Sequence, residues 1–130
     1  MSFSCRRCGH DLVSQHVPQS LSSELNVSRS IGFCPRCFAI ETVVDSSLKN
    51  TLPPPVKDAL PTGKAAIGVL LLVHKLEHLA AERAHIEYLL KWSEDAGGDV
   101  LLTLDRLSTT RYINPPYELD RRISQLRSIM

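Results

Sequence analysis

The four cysteines of this chain restrict its fold more than any other feature, because they occur as two matched pairs. Cys5 and Cys8 form one Cys-x-x-Cys unit, and Cys34 and Cys37 form a second unit after 25 intervening residues. A turn of this kind directs both sulfurs towards one point, and two such turns supply the tetrahedral set of four thiolates that zinc prefers. The spacing therefore predicts one zinc ion per chain, bound by Cys5, Cys8, Cys34 and Cys37.

The predicted metal is structural, because four thiolates leave no open position at which water or a substrate could bind zinc. A redox-active dithiol is one alternative, but two units with no cysteine left over favour a metal. Two disulfides in a secreted protein are another, yet the first 25 residues contain no apolar signal-peptide core. His10 and His16 are competing ligands, although solvated turn and strand positions also account for them. We expect the metal to hold the first third of the chain in its fold.

Charge and hydropathy argue against two classes of partner. The 130 residues carry a formal net charge of +1, and basic and acidic residues nearly balance in both halves. No basic field is therefore available to bind nucleic acid by charge alone. The longest apolar run, residues 65–73, is too short to span a bilayer. Together with reduced, metal-bound cysteines, these properties predict a cytoplasmic protein without membrane contact.

The pattern along the chain predicts an α+β fold, in which an N-terminal four-cysteine zinc ribbon precedes a C-terminal α-helical bundle with one long helix. The predicted units are a zinc ribbon at residues 1–46, a proline-rich linker at 47–63 and a helical domain at 64–130. Within the ribbon, the alternation of residue types predicts strands 11–17, 30–33 and 39–44 and a short helix at 18–25. Pro53-Pro54-Pro55 favours an extended strut, either as a stiff spacer or as a strap lying on the second half.

The long helix is predicted over residues 62–96, which contain no proline and repeat apolar residues at helical spacing. An unbroken helix of that length would measure about 50 Å, but Glu82, Arg83 and His85 interrupt the apolar stripe, so a kink there is the alternative. Its apolar stripe, from Val69 to Leu90, either packs on the shorter helices or pairs with a second copy of the chain in a homodimer.

Two shorter helices are predicted to complete the bundle. Gly97-Gly98 would end the long helix, and Asp99 would cap a second helix over residues 100–107. Asn114-Pro115-Pro116 would start the third helix, since proline is tolerated in a first helical turn. The apolar stripe of this third helix consists of Leu119, Ile123, Leu126 and Met130.

Residues 74–78 spell His-x-x-Glu-His, which is the inverted metalloprotease motif. In that motif two histidines one helical turn apart bind zinc, and the glutamate activates water. His74, His78, Glu82 and His85 fall roughly on one stripe of the predicted helix. A walled site with a third ligand is hard to build from so small a helical piece, and a solvated helix flank accounts for the same residues.

Three arginines lie inside the Cys-x-x-Cys units, namely Arg6, Arg7 and Arg36. Zinc-ribbon tips with arginines and nearby aromatic residues often touch phosphate or RNA, so these three are candidate contacts for nucleic acid or a protein partner. The alternative is local charge balance, because zinc bound by four thiolates carries a net charge of −2.

Further motifs of the chain resemble those of a known family. They are Cys-x-x-Cys-Gly at 5–9, Val17-Pro18, Leu60-Pro61-x-Gly63, and two Leu-Asp-Arg elements at 104–107 and 119–122 followed by Gln125-Leu126. This set resembles a small family of uncharacterised zinc-ribbon proteins of salt-loving archaea. The resemblance implies zinc on the four cysteines and an intracellular archaeal setting, and it implies no activity.

These observations together favour a non-enzymatic interaction or adaptor protein that docks on a protein or ribonucleoprotein assembly. Direct binding of nucleic acid, as in a transcription or ribosome-associated factor, is the main alternative. A metal-dependent hydrolase built on the His-x-x-Glu-His stretch is a remote one.

Overall fold

The computed structural model of the chain describes residues 4–42 and 48–129 and confirms the α+β fold class. A small antiparallel sheet near the N-terminus contains β1 (Val13–His16), β2 (Ser30–Phe33) and β3 (Ile40–Glu41) in the order β1-β2-β3. The short helix α1 (Gln19–Leu25) connects β1 to β2, as predicted, and it ends at Asn26 in the left-handed conformation. The last two residues of the predicted closing strand, 43 and 44, lie outside the described residues.

The proline-rich segment packs on the rest of the protein instead of forming an extended strut. Pro53 has extended backbone angles, but the next two prolines begin a short helix, α2 (Pro54–Lys57). Proline suits a first helical turn because its missing N–H has no helical acceptor there. Val56 is fully buried, and Ser14 N–H donates to Lys49 O at 2.7 Å, which ties the segment to the edge of β1. The segment is therefore a strap on the core, which was one of the two predicted roles.

The prediction of a single long helix over residues 62–96 is wrong. The chain forms α3 (Ala65–Lys75), a 3₁₀ turn (Leu76–His78) and then α4 (Arg83–Asp95). The polar stretch between the two apolar stretches allows the chain to reverse, and both helices then bury their apolar residues against each other. Helical periodicity alone does not distinguish a straight helix from such a hairpin.

A glycine permits the two helices to approach closely. A Cβ atom at Gly68 of α3 would lie 2.1 Å from Ser93 Oγ and 3.0 Å from the Trp92 ring, both on α4. The indole N–H of Trp92 in turn donates to Ser20 Oγ of α1 at 3.1 Å. The two helices of this hairpin therefore pack closely on each other, and a hydrogen bond joins α4 to α1 in the N-terminal part of the chain.

Two further helices close the fold, α5 (Val100–Thr109) and α6 (Leu119–Ile129). Asp99 caps α5 as predicted, since its carboxylate accepts the Leu102 N–H at 3.1 Å. The third predicted helix was expected to begin at Asn114. Residues 114–118 instead form a loop, and α6 begins at Leu119. Leu119, Ile123 and Leu126 are buried as predicted, and Met130 lies outside the described residues.

One hydrophobic core joins the N-terminal sheet to the helices. In α3 all seven residues from Ile67 to Val73 are buried, so this helix is enclosed on every side. The same core contains apolar side chains from the cysteine-containing third of the chain: Val13, Val17, Leu21, Leu25, Ile31, Phe33 and Phe38. Apolar contacts with the helices therefore also hold this third of the chain, besides the metal that the sequence predicts.

The stripe proposed for a homodimer is used inside the chain. Val69, Leu72, Val73, Leu76 and Ile86 are each 0% exposed. These side chains offer nothing to a second copy, because their apolar surface is already covered. Within residues 4–42 and 48–129, no helix has both the length and the apolarity that crossing a bilayer requires.

Because the proline-rich strap is part of the core, a cavity in it should weaken the whole protein. We predict that Val56→Ala lowers the free energy of unfolding by about 2 kcal/mol, since it removes buried methyl groups and leaves a void. The neighbouring Lys57→Ala, at an exposed position, should change it by less than about 0.5 kcal/mol. Urea unfolding followed by circular dichroism measures both. Equal effects of the two variants would mean that the strap is a detached spacer.

Candidate metal centre

Each Cys-x-x-Cys unit forms a tight turn, here called a knuckle, and the two knuckles have the same hydrogen bonds. In the first knuckle, residues 5–10, Cys5 N–H donates to His10 O at 2.7 Å and Gly9 N–H donates to Cys5 O at 2.8 Å. In the second knuckle, residues 34–39, Cys34 N–H donates to Ala39 O and Phe38 N–H to Cys34 O, both at 2.9 Å. The two knuckles therefore present their cysteines in the same way.

Both knuckles need a left-handed residue directly after their second cysteine. Gly9 has φ 81° and meets this need without strain. Phe38 has φ 63° at the equivalent position, which is unusual for a residue with a side chain. Its fully buried ring packs edge-to-face on Phe33 with centroids 5.1 Å apart, and this burial offsets the backbone strain.

The knuckles bring together the four sulfurs that the spacing singled out. The Sγ atoms of Cys5, Cys8, Cys34 and Cys37 all lie within 4.8 Å of one another. The closest pairs join the two knuckles, with 3.5 Å for Cys5–Cys37 and 3.5 Å for Cys8–Cys34, and all four cysteines are free rather than disulfide-bonded. Among the described residues this is the one group of three or more potential ligands close enough to share a metal ion.

The surroundings of the sulfurs favour a bound cation. Three of the cysteines are buried, and Cys8 is exposed. Burial raises the pKa of the Cys34 thiol, and the N–H groups of Cys37 and Arg36 only partly offset this effect. Arg7 N–H also points at Cys5 Sγ, at 3.4 Å. A soft divalent cation would stabilise the thiolates here, so the number, type and placement of the ligands fit a metal ion.

The first knuckle is attached to the helical part by two side-chain contacts. Arg7 Nη1 donates to Glu77 Oε2 of the 3₁₀ turn at 3.0 Å, and its Nη2 donates to Cys37 O at 3.3 Å. The Tyr112 hydroxyl, in the loop after α5, lies 2.7 Å from His10 Nε2. One contact therefore comes from the 3₁₀ turn that follows α3 and one from the loop before α6.

The second knuckle is attached at the same two places. His74 Nδ1–H, in the last turn of α3, donates to Phe38 O at 2.8 Å. Asn114 N–H, in the loop before α6, donates to Arg36 O at 2.6 Å. Burial lowers the pKa of His74, so its ring acts here as a neutral donor. No short-range signal in the sequence marks Tyr112 or Asn114 as supports of the centre, because each acts from more than 75 residues away.

The His-x-x-Glu-His stretch does not form a second metal site among the described residues. The α-helix gives way to a 3₁₀ turn after Lys75, which breaks the helical spacing of the two histidines. His74 is hydrogen-bonded to Phe38 O, and Glu77 is paired with Arg7. Further along the predicted stripe, Glu82 contacts His85 and Lys75 instead of a metal ligand set.

The three knuckle arginines have different surroundings. Arg7 is occupied by Glu77 and the Cys37 carbonyl. Arg6 is 93% exposed, and its Nε lies 3.6 Å from Glu41 Oε1. Arg36 is exposed and has no ion pair within the part of the chain that the structure describes. The competing ligands also lie elsewhere, since His10 contacts Tyr112 and His16 Nε2 lies 3.3 Å from an Arg29 guanidinium nitrogen.

A family model covers nearly the whole chain, since DUF6276, described as a family of unknown function, matches residues 4–130. The chain belongs to this family. No curated protein and no solved structure matches the chain. The resemblance to an uncharacterised family is thereby confirmed at this level, while its zinc-ribbon nature and the archaeal, salt-loving setting stay predictions. The match includes both knuckles and the helices α1 to α6 of the described residues.

Proposed function

We propose that this protein binds one structural zinc ion through Cys5, Cys8, Cys34 and Cys37, and that it is a non-enzymatic docking protein. The observation that carries the metal assignment is the gathering of four sulfurs within 4.8 Å of one another at the meeting point of two matched knuckles. Zinc is the ion that most commonly occupies such a four-thiolate tetrahedron in a reducing compartment, which is where we place the protein.

A docking role is favoured over catalysis by the chemistry of the centre. Four thiolates saturate zinc and leave no position for water or substrate. Two acid–base groups of the His-x-x-Glu-His stretch, His74 and Glu77, are used in contacts that join the knuckles to the helices. The centre can offer a partner the exposed surface of its two knuckles, here called the tip. This surface includes the side chains of Arg6 and Arg36.

The charges near the tip favour a protein surface over nucleic acid as the partner. Glu77 pairs with Arg7, and Glu41 lies beside Arg6, so two of the three knuckle arginines are neutralised. A net charge of +1 on the whole chain adds no long-range attraction for phosphates. Binding of nucleic acid draws its affinity largely from several unpaired cationic side chains, which this tip does not supply.

The metal assignment is tested by metal analysis of the purified chain. We predict about one zinc per chain, and cobalt substitution should give the visible absorption of a tetrahedral thiolate site. Cys34→Ser should abolish that absorption, since it removes a buried ligand, whereas Ser4→Ala, an exposed change beside the first knuckle, should leave it unchanged. A wild-type chain that takes up no metal would refute the assignment.

The docking role is tested by capture of partners from native lysate, with and without nuclease. We predict that the tip variant Arg6→Glu/Arg36→Glu no longer captures the partner protein. Treatment of the lysate with nuclease should leave capture by the wild-type chain unchanged. Arg83→Glu/Lys91→Glu changes the same number of charges at exposed positions of α4 and should keep the capture. Capture that disappears with nuclease and falls steeply with salt would instead support direct nucleic-acid binding.

A further inference from the structure

The four cysteines of the metal centre are unequal. Cys5 and Cys37 are each 3% exposed and Cys34 is 0% exposed, whereas Cys8 lies at the surface. Two of the buried sulfurs also accept backbone N–H groups, with Arg7 N to Cys5 Sγ at 3.4 Å and Cys37 N to Cys34 Sγ at 3.4 Å. No backbone N–H contact to Cys8 Sγ occurs among the described residues. Cys8 is therefore the ligand that an incoming group reaches first, and among the described contacts its sulfur, like that of the buried Cys37, receives no backbone N–H.

Contacts that do not involve a metal ion also tie both knuckles to the rest of the fold. Each knuckle has one link to the end of α3 or the 3₁₀ turn and one link to the loop before α6: Arg7–Glu77 and His10–Tyr112 for the first, Phe38–His74 and Arg36–Asn114 for the second. Both sets of links end on elements that belong to the shared hydrophobic core. These links therefore hold the two knuckles beside each other, although their local order still gains from a metal ion.

We propose that this is an exchangeable metal site, at which zinc is passed through Cys8 to or from a thiolate of a second protein while the fold stays intact. This inference rests on the proposed zinc site. With zinc bound, Cys8 would be the ligand that an acceptor thiolate replaces first, and the released Cys8 sulfur would lie at the exposed side of the site. One thiolate replaces another, so the charge on the ligand set is unchanged and no oxidant or reductant is needed.

The contacts of the knuckles with the core distinguish an exchangeable metal site from one whose metal is needed for folding. A structural zinc finger loses its fold with its metal, because the metal supplies most of its folding free energy. Here the second knuckle continues through Phe38 into the common core, and the sheet is covered by helices. The release of metal costs only the local order of the knuckles, and the site can be refilled without refolding of the chain.

Three measurements on the full chain test the proposal. In the zinc-loaded protein, limited alkylation with iodoacetamide and peptide mapping should modify Cys8 before the other cysteines. Transfer of cobalt from the loaded protein to dithiothreitol, a dithiol acceptor, should speed up in proportion to the acceptor concentration. The metal-free protein should keep its far-ultraviolet circular dichroism and a cooperative thermal transition, and it should regain the metal spectrum without a slow folding phase.

A variant pair separates support of the site from stability of the fold. Arg7→Ala/Tyr112→Phe removes both side-chain links of the first knuckle and should raise the zinc dissociation constant about tenfold, as loss of outer contacts does in other zinc sites. Arg83→Ala/Tyr88→Phe makes matched changes on α4, away from the knuckles, and should leave the constant unchanged. Both variants should retain the helical signal of the wild type.

The outcomes distinguish this inference from the proposed function. Cooperative unfolding that disappears with the metal, alkylation of a buried cysteine before Cys8, or transfer at a rate independent of the acceptor would each overturn the exchange proposal while leaving a structural zinc site in place. A chain that binds no metal overturns the zinc assignment itself. Equal dissociation constants for the two variants would show that the knuckle links do not support the site.

Discussion

The burial of α3 on every side is the constraint on which the rest of the structure depends. A helix with seven consecutive buried residues must be covered from all directions, and a chain of this length has few elements to do so. The hairpin partner α4, the helices α5 and α6, the proline-rich strap and the N-terminal sheet all contribute to the one core. The cysteine-containing part of the chain therefore covers one side of the core. His74, in the last turn of α3, is hydrogen-bonded to Phe38 of the second knuckle.

The free energies of apolar burial and of metal binding can be compared for the N-terminal part of the chain. Each buried aliphatic or aromatic side chain contributes about 1.5–3 kcal/mol, so the seven that this part places in the core contribute on the order of 10–20 kcal/mol before chain entropy is counted. A structural zinc ion contributes about 10–16 kcal/mol to a small zinc finger. The apolar contribution is therefore comparable with what a zinc ion at this site would add, whereas an isolated zinc finger has no such core. The cysteines belong to a smaller buried cluster beside the main core, so the knuckles would gain more from an ion than the sheet would.

The sequence predicted what local spacing encodes. The cysteine pairs, the strands around them, the cap at Asp99 and the apolar stripe of α6 all follow from residues that are close together in the chain. The reversal between α3 and α4 did not follow, because its cause is burial against distant elements and the approach permitted by Gly68. The supports of the centre were also hidden: His74 and Glu77 spell a metalloprotease motif by spacing, yet the fold assigns them to Phe38 and Arg7.

Amide hydrogen exchange along α3 tests the central claim most directly, since it reports the stability of that helix with and without metal. If the shared core organises the molecule, the amides of residues 69–73 are among the slowest to exchange in the zinc-loaded protein and stay protected after chelation, while amides of the knuckles lose protection. Loss of protection throughout α3 on removal of the metal would contradict the account, because it would make the ion, and not the core, the basis of the fold.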